Sequence, residues 1–144
     1  GNGAVDVLAD SEFDPDEERD RGVILYGNAE TNRAWPALLQ KAPIIVTRAG
    51  VRVGEHLERG GDLACLFAYP RPGSRTAMVG VVAGTELTGM RLTDRLPYFT
   101  SGVAYPDWTV IGADALSVGL KGIRGCGFFA NDWTISRTDT AWRM

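Results

Sequence analysis

Val23-Ile24-Leu25-Tyr26-Gly27-Asn28 is a continuous apolar run closed by a turn, and Ala29-Glu30-Thr31-Asn32 leads from it into Trp35, Leu38 and Leu39 at helical spacing. An unbroken apolar run suits a strand covered on both faces, whereas a half-exposed strand would alternate. Asn28 to Asn32 supply turn and N-cap chemistry for the short helix. Strand, tight polar loop and helix make the opening of a βαβ unit.

The rest of the chain reads the same way. Pro43 to Thr47 is a second strand, and Gly50 with Val51-Arg52-Val53-Gly54 suggests a hairpin that carries the sole histidine, His56. Asp62 to Tyr69 is another apolar run, ended by Pro70-Arg71-Pro72-Gly73, where proline forbids ladder continuation. Thr76 to Ala83 is a further strand leading through Gly84 and Thr85, the expected cap, into a helix over Glu86 to Leu96. Tyr98 to Val103 fits either a helix end or a loop. Trp108 to Gly112 and Arg124 to Ala130 add strands around a helix over Asp114 to Leu120, and a polar tail beyond Asp132 has an edge strand in reach.

Buried strands alternating with short helices predict an α/β fold, a three-layer, mostly parallel sheet of Rossmann or flavodoxin type with short helices on both faces. Ligands of such sheets lie beyond the carboxyl ends of the strands. The candidate ligand-binding residues on that expectation are Asn28, Asn32, Arg71, Gly84, Thr85 and Asp107, with Gly27, Tyr69 and Asn131 beside them.

Composition sets outer limits. The 144 residues suffice for one core, and 44% hydrophobic with 23% charged residues is the balance of a globular chain. Residues 1–20 hold eight acids against one base, so this stretch reads as an acidic linker or arm, and 21–144 as a single α/β domain of opposite net charge. The arginines are scattered rather than clustered with aromatics, which argues against a nucleic-acid partner. No apolar run approaches the roughly 18 residues of a membrane-spanning helix, so no membrane partner is expected either. The start, Gly1-Asn2-Gly3, lacks Met and reads as a cloning remnant or a cut through a longer chain.

Chemistry-bearing motifs are sparse. No Gly-x-Ser-x-Gly elbow occurs, and the single imidazole, His56, falls in a Gly- and charge-rich hairpin, so no catalytic residue is assigned. Gly80 to Gly84 before a helix invites a phosphate cradle, yet neither Gly-x-Gly-x-x-Gly nor a P-loop pattern is present. Asp107 and Asp132, each next to a tryptophan, with Asp94 in addition, are the candidates for paired carboxylates or a sugar-stacking surface; the simpler reading has each aspartate turning the chain. Cys65 and Cys126 sit in apolar stretches and read as free, buried thiols, and with no His or Cys at ligand spacing neither a metal nor another cofactor is expected.

The stretches Val23 to Asn32 with Trp35, Gly61 to Phe67, Arg71-Pro72-Gly73-Ser74, Val79 to Thr85, Gly89 to Tyr98 and Ser101 to Trp108 together resemble the C-terminal region of secreted bacterial serine hydrolases of the prolyl-oligopeptidase and esterase type. The resemblance covers residues 5–135. It implies an adjacent hydrolase domain as partner, a secreted or periplasmic location, and a nucleophile, acid and histidine that map onto no position of this chain. The function expected is a non-catalytic accessory or substrate-positioning domain; the alternative is a small-ligand domain that binds an anion, phosphate or sugar through the strand-end loops.

Overall fold

A computed structural model describes residues 4–144; Gly1-Asn2-Gly3, read above as a cut or a remnant, lies outside the described residues. The chain is mostly β, with 36% of residues in strands and 14% in helices. Strands β1 (Val23–Tyr26), β2 (Ile44–Thr47), β3 (Gly50–Val53), β4 (His56–Arg59), β5 (Leu63–Pro70), β6 (Met78–Gly84), β7 (Trp108–Gly112), β8 (Ile123–Phe129) and β9 (Ile135–Trp142) are joined by helices α1 (Trp35–Leu39), α2 (Leu87–Thr93) and α3 (Ala115–Val118).

The strands form a six-stranded sheet in the order β1-β6-β5-β7-β8-β9 and a three-stranded sheet β2-β3-β4. Only the β1 and β6 pair is parallel; every other pairing is antiparallel. The three-layer, mostly parallel Rossmann or flavodoxin arrangement is therefore wrong. Parallel neighbours need a crossover of about a dozen residues, usually helical. The β5–β6 connection is a short Pro- and Gly-bearing turn that returns the chain beside itself, and α1, α2 and α3 are too short to cover a parallel sheet. The apolar runs at β5, β6 and β7 misled because a strand reads as continuously apolar whenever both faces are covered, whatever the direction of its neighbours.

On one face of the large sheet Leu63, Cys65, Phe67, Val79, Val81, Trp108 and Val110 pack against α1 and the small sheet, where Trp35, Leu38, Ile44, Val46 and Val51 complete the main core. The opposite face is only partly covered. Its β5 and β7 residues Ala64 and Ile111 lie under Leu92 of α2. Gly84 and Gly89 permit that approach, because a Cβ at Gly84 would meet the backbone of Met90 and one at Gly89 the backbone of Leu63.

The acidic arm is tied to the domain through Arg71, only 2% exposed. Its Nη1 donates to the carbonyls of Glu18 at 2.8 Å and Arg21 at 2.6 Å, its Nη2 to those of Pro15 at 3.2 Å and Glu17 at 2.7 Å. The Phe13 ring lies 5.8 Å from the guanidinium carbon. At the far edge of the sheet, β9 is interrupted: Gly127 pairs with Thr140 and Phe129 with Ile135, so Ser136 to Asp139 bulge out opposite Phe128 alone. The bulge is closed on itself by the Ser136 hydroxyl, which donates to Asp139 Oδ2 at 2.7 Å.

Candidate functional site: an aromatic groove on the open sheet face

The residues expected at strand ends mostly serve the backbone. Asn28 is buried; its Nδ2 donates to the carbonyls of Gly84 at 2.9 Å and Thr85 at 3.2 Å, and its Oδ1 accepts from Glu30 N–H. Asn32 likewise donates to Tyr26 O and accepts from Ala34 N–H. Thr85 Oγ1 accepts from Leu63 N–H at 3.1 Å rather than capping α2, whose N-cap is Glu86 with no side-chain cap bond. Gly84 lies under α2, and Arg71 spends both terminal nitrogens on the arm. Asn28, Gly84 and Thr85 do come together, but as a seam joining β1, β6 and the start of β5.

The carboxylate candidates are likewise local. Asp132 Oδ1 accepts from the Thr134 hydroxyl at 2.6 Å and from Thr134 N–H, and these bonds hold its carboxyl below the usual carboxylate range. Trp133 beside it packs, half-buried, with Tyr69 and Phe129, and Trp108 is fully buried. His56 stacks on Trp142 with ring centroids 3.7 Å apart, its Nε2 3.5 Å from Glu58 Oε2. Both cysteines are free; Cys65 is buried, which pushes its thiol well above its ordinary value, while Cys126 is half-buried. Among the described residues no cluster of three or more His, Cys, Asp or Glu is placed to hold a metal ion. None of their helices is long and apolar enough to cross a membrane.

Of the expected residues, Asp107 is the one in the lining of a groove on the open sheet face. Where α2 stops short, a groove of about 300 Å³ runs over the open face of the large sheet. Its floor is Ile24 of β1, Gly80 and Val82 of β6, and Leu66 and Ala68 of β5; its wall is the loop from Tyr98 through Phe99 and Val103 to Tyr105 and Pro106. Gly80 keeps the floor low, and the β1 side is open enough that Ile24 is 47% and Phe99 68% exposed. Asp107 also lines it, its Oδ2 accepting from Phe129 N–H at 2.9 Å, and is the one charged residue of the lining. Burial raises the Tyr98 phenol to about 12, with a hydrogen bond to Tyr26 adding to the rise, and burial raises Tyr105 too. Both tyrosines stay neutral.

No family model, no curated protein and no solved structure matches the chain. The site therefore rests on its own geometry. Sequence reading missed the groove wall because Tyr98 to Val103 has no periodicity to place it. The available signal was composition: two tyrosines, a phenylalanine and a valine in a loop have to cover something or be covered.

Proposed function

We propose that this chain is a non-catalytic binding domain whose working surface is the aromatic groove, and that it accompanies a serine hydrolase of the peptidase or esterase type. The observation that carries the binding reading is the groove itself: an apolar sheet face left open by a short helix and walled by Tyr98, Phe99 and Tyr105. Soluble domains seldom leave contiguous apolar surface uncovered, and where they do it commonly meets a partner. The association with a hydrolase, and with it a secreted or periplasmic setting, rests on the motif resemblance from Val23 to Trp108. The His56 ring is stacked on Trp142 with its Nε2 3.5 Å from Glu58 Oε2.

The anion-binding alternative finds less support. Arg71 is committed to four carbonyls, and the N-terminus of α2 carries Glu86, whose charge would repel an anion. A library of short unstructured peptides presented to the immobilised chain, wild type and Phe99→Ala side by side, tests the proposal. Peptides retained by the first and lost by the second are the expected result. Retention indifferent to Phe99→Ala, or ester or peptide turnover abolished by His56→Ala, overturns it.

A further inference from the structure

Resting on that reading of the groove, we infer that its ligand is a proline-containing polypeptide segment in the polyproline II conformation, with one basic side chain directed at Asp107. The first ground is the backbone of such a ligand. A peptide in this groove would lie on the face of the sheet, where the strands present side chains, and the backbones of β6 and β5 beneath it are paired on both edges. A ligand in β conformation would find a ladder partner only along the outer edge of β1, beside the groove and not over its floor. A polyproline II helix has no internal hydrogen bonds and keeps its backbone solvated, so it can dock through ring and side-chain contacts alone.

The second ground is the wall. Tyr98, Phe99 and Tyr105 supply aromatic surface, with Tyr98 and Phe99 edge to face at 4.9 Å, and tyrosines kept neutral offer hydroxyls without charge. The compact, constrained pyrrolidine ring packs on such surfaces with little conformational entropy to lose. A sugar would need many more hydrogen-bonding groups than this lining offers.

The third ground is charge. Asp107 is the one ionic side chain of the lining, and only its Oδ2 is engaged, by Phe129 N–H, so Oδ1 has capacity to accept from an arginine or lysine. Complementarity therefore selects a neutral segment with a single cation and disfavours an acidic one.

Amide shifts of the isotopically labelled chain on titration with three synthetic peptides decide the matter: an alanine-proline peptide with one central arginine, the same peptide with glutamate for arginine, and a proline-free alanine-glutamine peptide with the same arginine. Expected are saturable shifts at Ile24, Gly80, Phe99 and Tyr105 with the first peptide and weaker affinity for the other two. Asp107→Asn, which retains the acceptor for Phe129 N–H, should cost the arginine peptide about fivefold in affinity and leave the glutamate peptide no worse. Equal or tighter binding of the proline-free peptide at those same residues overturns the polyproline inference while the groove remains a binding site. Failure of all three to move any groove amide overturns both.

Discussion

Replacing Arg71 by methionine keeps the apolar stem of the side chain and deletes the guanidinium that organises the arm. Four donated bonds, at 2.8, 2.6, 3.2 and 2.7 Å, disappear together, and four backbone carbonyls between Pro15 and Arg21 lose their partner. At a net contribution of about 1 kcal/mol for each, the loss is about 4 kcal/mol, and removing a buried cation returns part of it, leaving about 3 kcal/mol. With a urea slope of about 1.5 kcal/mol/M, the unfolding midpoint should fall by about 2 M with the slope unchanged. Arg71→Lys should recover only part of this, because an ammonium cannot reproduce the planar fork. Limited trypsin digestion supplies a second readout, since Arg19 and Arg21 are in the clamped segment and should be cut faster in Arg71→Met. A midpoint within about 0.3 M of the parent, with those sites still protected, would refute the view that Arg71 holds the arm.

Gly89→Ala should cost about 1–3 kcal/mol in chemical denaturation, since its Cβ would meet the Leu63 backbone and lift α2 from the sheet. Asn28→Ala strands the buried carbonyls of Gly84 and Thr85 and should cost about 2 kcal/mol by the same measurement. Because the folded state raises the Tyr98 phenol, its contribution is complete below the unfolded value of about 10 and is lost as pH rises toward about 12; thermal midpoints followed through that window should fall less steeply in Tyr98→Phe. For Asp132 the sign reverses: its lowered carboxyl stabilises the fold above the unfolded carboxylate range and stops doing so as pH falls, so Asp132→Asn should show a shallower loss of stability in acid.

Most elements were legible in the sequence and their assembly was not. The apolar runs of β1, β2, β5, β6, β7 and β8 and the helical spacing of Trp35, Leu38 and Leu39 appear where the residues call for them, because local periodicity reports burial. Direction is a property of the connections. The turn after Pro70 is a hairpin, and its Pro-Arg-Pro-Gly sequence shows that a strand ends without saying which edge the next one takes. His56, placed in a hairpin by its neighbours, starts the third strand of a meander and reaches across to Trp142, a contact made from opposite halves of the chain. Arg71 looked like an anion ligand because a cation at a strand end fits that role; its actual partners are carbonyls 50 to 56 positions earlier, and carbonyls leave no mark in sequence. Of the groove, sequence reached only Asp107, since its floor is assembled from β1, β6 and β5, distant in order and adjacent in space.

The self-closed bulge at Ser136 to Asp139 bears on how this polypeptide behaves at high concentration. An outermost strand of eight residues is a template on which another molecule could polymerise, and the protrusion there, with charged Arg137 and Asp139, breaks the template into pieces too short to seed a fibre. With apolar surface open on one face of the sheet, blunting this flank removes one route by which copies could pair edge to edge.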